Sequence, residues 1–195
     1  MGILNPKLMV FHIDLFKEAE MSKTKKTVLL GILVSQALIL NLAERLIPVT
    51  LTVPGIKPGL ANAVSLIAIV LFGPREALIV VSVRTFLGSV FGGGMSSFIY
   101  SFAGGILSTI AMSILYKKFG NLFSIPAISV VGAIFHNIGQ ILAASLIIQN
   151  GRLFFYLPVL LISAIVTGLF VGFAVKYSLR PMKHIFESID SEGIK

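Results

Sequence analysis

Gly132-Ala133-Ile134-Phe135-His136-Asn137-Ile138-Gly139-Gln140 lies midway along an apolar run from Ile125 to Ile148. His, Asn and Gln inside a span of that length are costly in hydrocarbon unless they meet polar partners or a wet cavity. At 100° per residue His136, Asn137 and Gln140 fall within about a 100° arc, so one helix face carries all three. That face is expected to look into the protein at something polar. The rest of the chain reads as a wall of helices around it.

The composition agrees. The 195 residues are 56% apolar with only eight Asp plus Glu, and the mean hydropathy is +0.97. That length suits one domain, but 12% charge is too little to cover so many apolar runs in water. The expectation is an all-α integral membrane protein. Zero cysteines exclude a disulfide framework, cysteine metal sites and thiol nucleophiles. The net charge of +8 sits at the ends of the apolar runs, which is the pattern of loops facing anionic lipid and argues against nucleic acid.

Residues 1–26 precede the first span as a cytoplasmic segment. Within it, residues 1–20 interleave Phe11, Ile13, Leu15 and Phe16 with Lys7, Asp14, Lys17, Glu18 and Glu20, without the continuous apolar core of a signal peptide. Two readings stand: an amphipathic interfacial segment, or sequence upstream of a start at Met21, whose Met21-Ser22-Lys23-Thr24-Lys25-Lys26 leads straight into an apolar helix.

Six spans follow within a membrane domain of residues 27–178. The first, about 27–47, carries Gly31 and Ser35, a small-xxx-small pair that lets another helix approach closely. Its later half holds Gln36, Asn41, Glu44 and Arg45. Glu44 and Arg45 are either interfacial residues at a helix end or, with Asn41, a functional polar face. Pro48 to Gly59 contains three prolines and two glycines, so it is a loop and not a helix. It is either a lid over a pocket mouth or a plain connector. The second span, about 60–72, is short and places Asn62 near its start, to cap the helix or point into a cavity.

Gly73-Pro74-Arg75-Glu76 turns into the third span, about 77–91, with Arg84 at mid-depth. An arginine there costs about 2.5–3.5 kcal/mol on insertion scales. No acid on a neighbouring span is an evident partner, so Arg84 either bonds helix-end carbonyls or awaits an anionic ligand group. Gly92-Gly93-Gly94 leads into the fourth span, about 95–116, where Ser97, Ser101, Gly105, Thr109 and Ser113 recur every four residues as a packing stripe. The fifth span carries the opening stretch. The sixth, about 153–177, is apolar scaffold, and residues 179–195 form a tail. With six spans, Lys23, Lys25, Lys26, Arg75, Lys117, Lys118, Lys176, Arg180 and Lys183 fall on one side, against Lys57 and Arg152 on the other. The positive-inside rule then puts both termini in the cytoplasm.

Catalytic signatures are missing. There is no P-loop, no dinucleotide glycine pattern and no aspartate-rich diphosphate motif. His12, His136 and His184 lack metal-ligand spacing, so no metal or cofactor is expected. Glu44 and Glu76 lie near opposite faces and make no hydrolytic pair. Asn41, Glu44, Asn62, Arg84, His136, Asn137 and Gln140 are therefore expected to bind a substrate, not to break bonds. The ligand they suit is amphipathic or aromatic, with an anionic or strongly hydrogen-bonding group near Arg84.

Four blocks carry a resemblance: Pro54-Gly-Ile-Lys-Pro-Gly-Leu-Ala-Asn62, Arg84, Ser101-Phe-Ala-Gly-Gly-Ile-Leu-Ser108, and the opening Gly132–Gln140 stretch. Over about residues 25–178 the chain resembles the bacterial heptaprenyl diphosphate synthase component I family, also called the Gx transporter family. That family is similar in hydropathy layout to the S components of energy-coupling factor (ECF) transporters. The resemblance implies a six-helix, S-component-like bundle in the bacterial cytoplasmic membrane that binds a vitamin-like solute. It also implies a shared transmembrane subunit and two ATPases as partners. Small residues on the first helix contact the shared subunit in that scheme, and Gly31 and Ser35 occupy the matching place, with glycine and serine instead of alanines. The alternative implied by the family label is a non-catalytic membrane accessory of heptaprenyl diphosphate or quinone biosynthesis, or of a membrane redox complex. Under neither reading is the chain itself an enzyme.

Overall fold

The computed structural model describes residues 22–44 and 59–192. The amino-terminal residues 1–21, Arg45 and all of the Pro48–Gly59 loop except Gly59 lie outside the described residues. Among the described residues six α-helices run in order: α1 (Lys23–Ala43), α2 (Asn62–Leu71), α3 (Pro74–Gly88), α4 (Gly94–Phe119), α5 (Ile125–Ile148) and α6 (Leu157–Glu192). No strand occurs among the described residues. Among the described residues, four helical stretches are long and apolar enough to cross a membrane: α1, α4, α5 and Gly151–Leu179, which joins a 3₁₀ turn to α6.

Local chemistry sets most of the boundaries. Ser22 caps α1 through its Oγ, which accepts from Lys25 N at 3.3 Å. Ser124 does the same for α5 from Ala127 N at 3.4 Å, with Pro126 in the first turn. Gln149 ends α5 in the left-handed region, and Asn150 Oδ1 then accepts from Arg152 N at 3.0 Å to start the 3₁₀ turn Gly151–Tyr156. Between α3 and α4 the chain makes a π-helical turn, Ser89–Gly93, and Gly94 (φ 67°) starts α4 in a backbone conformation that glycine adopts without strain. Helix α1 begins four residues earlier than the apolar run suggests, because Lys23–Lys26 take up its first turn. Helix α6 continues through the residues expected to be a tail, with Pro181 inside it.

The short helix α2 is the centre of the bundle. It touches all five other helices. Val64, Ser65, Leu66, Ile67, Ala68, Ile69 and Val70 are all buried. A helix that is apolar all round is stable where every face meets protein. Its core partners include Leu33 and Ala37 of α1, Val80 of α3, Met112 of α4, Ile128 of α5, and Val171 and Val175 of α6. The outer helices leave large apolar side chains exposed, among them Ile39, Ile79, Leu146, Ile162 and Phe170. Outward apolar side chains around a packed interior suit hydrocarbon surroundings.

Helices α4, α5 and α6 pack most closely. A Cβ on Gly139 would lie 2.8 Å from Gly104 Cα and 2.9 Å from the Ala103 carbonyl oxygen. On the other side of α5, Cβ atoms on Gly168 and Gly172 of α6 would lie 2.7 Å from Val130 Cα and 2.4 Å from Pro126 Cα. Only residues without side chains permit backbones to approach this closely.

Candidate functional site

Asn41, Glu44, Asn62, Arg84, His136, Asn137 and Gln140 are all buried, none more than 4% exposed. Glu44, Asn62, Arg84, His136 and Gln140 line one interior region; Asn137 does not.

The region is built around the start of α2. Gly59 sits at φ 85°, and Asn62 is the first residue of the helix, with no side-chain cap at Ala61. The cap comes from a distance. Glu44, just past the end of α1, accepts through Oε1 from the backbone N–H of Leu60 and, at 3.4 Å, from that of Ala61. A carboxylate at a helix N-terminus also meets the positive end of the helix dipole. Glu44 is therefore not an interfacial residue reaching for water but a buried charge holding α1 to α2.

Arg84 reaches the same place from α3. Its Nη2 donates to Asn62 Oδ1 at 3.2 Å, at the same helix start that Glu44 caps. The acid that sequence spacing did not bring near Arg84 is thus Glu44, through the first residues of α2. Arg84 Nε and Asn62 Nδ2 have no hydrogen-bond partner among the described residues. Asn41, one turn before Glu44 on α1, is 2% exposed.

From the far side α5 contributes His136 and Gln140. The Gly59 Cβ position lies 3.2 Å from His136 Cδ2 and 3.0 Å from Asn62 Nδ2, so His136 and Asn62 meet across Gly59. The Gly104-Gly105 pair of α4 then separates the two halves. A Cβ on Gly104 would lie 2.8 Å from Gln140 Cγ and 3.1 Å from His136 Nδ1; one on Gly105 would lie 3.3 Å from Arg84 Nη2. Neither amide atom of Gln140 has a hydrogen-bond partner among the described residues, although the side chain is fully buried. A buried amide left that way carries a desolvation cost of about 1–3 kcal/mol.

Asn137 turns the other way. Its Nδ2 donates to the Leu160 carbonyl of α6 at 2.8 Å. The 100° arc expected to present one face is wide enough to span two neighbours: His136 and Gln140 meet α4, and Asn137 meets α6. Gly31 and Ser35, by contrast, lie on an exposed face of α1. Nothing comes within 4 Å of the Gly31 Cβ position, and Ser35 Oγ donates to the Gly31 carbonyl at 2.9 Å.

Several participants were not read from the sequence. Gly59 and Gly104 were invisible as site residues because glycine carries no chemistry, although a glycine pair amid small residues does signal close approach. The Lys26–Glu76 ion pair, at 2.5 Å, joins the starts of α1 and α3 and had a signal: opposite charges at span ends assigned to one side. Outside the polar region, an apolar groove of about 520 Å³ runs between α4 and α5, lined by Ile99, Phe102, Leu142 and Leu146 among others, with Gly139 at its back.

A family model described as heptaprenyl diphosphate synthase component I matches residues 33–178. The match covers α2, α3, α4 and α5 whole, most of α1 and the first part of α6, and so every candidate residue above except Gly31. No curated protein and no solved structure matches the chain.

Proposed function

Because the chain belongs to the heptaprenyl diphosphate synthase component I family, we propose that it is a substrate-binding membrane subunit, of the S-component type, that serves a small-molecule transporter. A component I is a non-catalytic subunit, and the chain is not itself an enzyme. Several of its apolar helices are long enough to cross a membrane, and the subunit partners another chain.

The observation that carries the transport reading is the polar region itself. Arg84, Asn62, Glu44, His136 and Gln140 converge beneath the start of α2, with donors and acceptors left over. Buried polar groups in a membrane protein mark ligand or ion pathways more often than scaffolding. In this reading the six helices are six spans in the bacterial cytoplasmic membrane with both termini inside. The ligand is vitamin-like or a precursor of isoprenoids or quinones, and the exposed Gly31–Ser35 face docks a shared transmembrane subunit energised by two ATPases.

The family name supports a second reading, in which the chain is a membrane accessory of heptaprenyl diphosphate or quinone assembly or of a membrane redox complex. Affinity purification from native membranes separates the two. The transport reading expects ATPase subunits in the eluate, lost on Gly31→Leu with Ser35→Leu, and a small molecule found by mass spectrometry of the purified chain. A soluble prenyl synthase in the eluate and no retained solute would replace it with the accessory reading.

A further inference from the structure

The start of α2 is surplus in donors. The N–H groups of Leu60 and Ala61 point at Glu44 Oε1, Arg84 Nη2 points at Asn62 Oδ1, and two buried donors, Arg84 Nε and Asn62 Nδ2, have no acceptor among the described residues. Backbone N–H groups at a helix start, a guanidinium and a side-chain amide together form an anion cradle. One anion already lies there, and it belongs to the chain.

We infer that the cradle made by Arg84, Asn62 and the N–H groups of Leu60 and Ala61 is a carboxylate-binding site in which Glu44 acts as an internal competitor, displaced when a ligand carboxylate binds. The inference rests on the proposed substrate site and names the chemistry of its ligand. Two features select a monocarboxylate. The cradle already accommodates a carboxylate of glutamate geometry. The two unused donors on Arg84 and Asn62 give a ligand carboxylate contacts that Glu44 leaves unmade.

The test uses the sign of one substitution. Thermal unfolding of the purified full chain in detergent is titrated with sodium acetate, sodium pyrophosphate or sodium chloride at matched ionic strength, for the unmodified protein and for Glu44→Gln. The variant keeps an acceptor oxygen for Leu60 and Ala61 but leaves Arg84 without its counter-charge. Acetate is expected to stabilise both proteins beyond chloride, with an apparent affinity about tenfold or more higher in Glu44→Gln, since a competing charged hydrogen-bond acceptor has been removed. An unchanged or weaker acetate response in the variant overturns the displacement, because Glu44 then helps to hold the ligand. A pyrophosphate response equal to that of acetate overturns the monocarboxylate assignment. Should Glu44→Gln not fold without acetate, Glu44→Asp, one methylene short of the cradle, is expected to show the same gain to a smaller degree. If no acetate effect is seen while mass spectrometry finds a neutral molecule retained by the chain, the inference fails and the substrate site stands. If neither is seen, both fall.

Discussion

Gly139 of α5 and Gly104 of α4 meet backbone to backbone, with the Gly139 Cβ position 2.8 Å from Gly104 Cα. This contact fixes where His136 and Gln140 stand, because it sets the distance between the helix that carries them and the helix that divides the polar region. Gly139→Ala should therefore force the two helices apart, costing about 1–3 kcal/mol as overpacking. Gly31→Ala, on a face with nothing within 4 Å, should instead stabilise α1 by about 0.5–1 kcal/mol. Unfolding of both variants in the same detergent checks the contrast, and equal effects would disprove it.

Asn137 is predicted to behave unlike its neighbours. Its hydrogen bond to the Leu160 carbonyl ties α5 to α6. Interhelical bonds of this kind contribute about 0.6 kcal/mol on average and up to about 1.7 in membranes. Asn137→Leu should lower stability within that range and leave affinity for a retained solute unchanged. Gln140→Leu should do the opposite: it removes a buried amide without hydrogen-bond partners among the described residues, so stability holds or rises while binding is lost. Measuring both quantities on both variants tests the assignment, and loss of binding in Asn137→Leu alone would reverse it.

The Lys26–Glu76 pair has side chains 40% and 19% exposed, so solvent screens it. Each of Lys26→Ala and Glu76→Ala should cost no more than about 1 kcal/mol. The exchange Lys26→Glu with Glu76→Lys should recover most of that loss, and failure to recover would mean that the contact is geometric coincidence.

The helices were legible in the sequence, and the site only in outline. Apolar runs reveal spans because hydrocarbon tolerates little else, but the short second run gave no sign that its helix would be covered on every side. Periodicity placed His136, Asn137 and Gln140 in one arc, but an arc has no neighbours until the bundle is assembled, and so it could not send Asn137 to α6. Glu44 was harder still. Its partners are 16 and 17 positions away across a segment rich in helix breakers, and nothing in residue spacing says where such a segment returns. Arg84 consequently read as a cation without an acid.

That pairing yields the last prediction. Arg84 and Glu44 are opposite charges, both buried, at 2% and 4% exposure, and both hydrogen-bonded to the start of α2. Removing one member of such a pair strands the other, at about 3–5 kcal/mol, whereas removing both leaves a neutral site that is often little worse than the original. Arg84→Gln alone should thus be strongly destabilised, and adding Glu44→Gln should return much of the loss. The double-mutant cycle is expected to give a coupling of about 0.5–3 kcal/mol. Binding should respond differently. Arg84→Gln with Glu44→Gln retains the Leu60 and Ala61 donors but has no cation, so a carboxylate should bind it far more weakly than it binds Glu44→Gln. Thermal unfolding and acetate titration on the same four proteins separate the two roles. Restored stability with lost acetate response assigns Arg84 to the ligand as well as to the fold. Restored stability with acetate response intact would leave Arg84 a purely structural partner of Glu44.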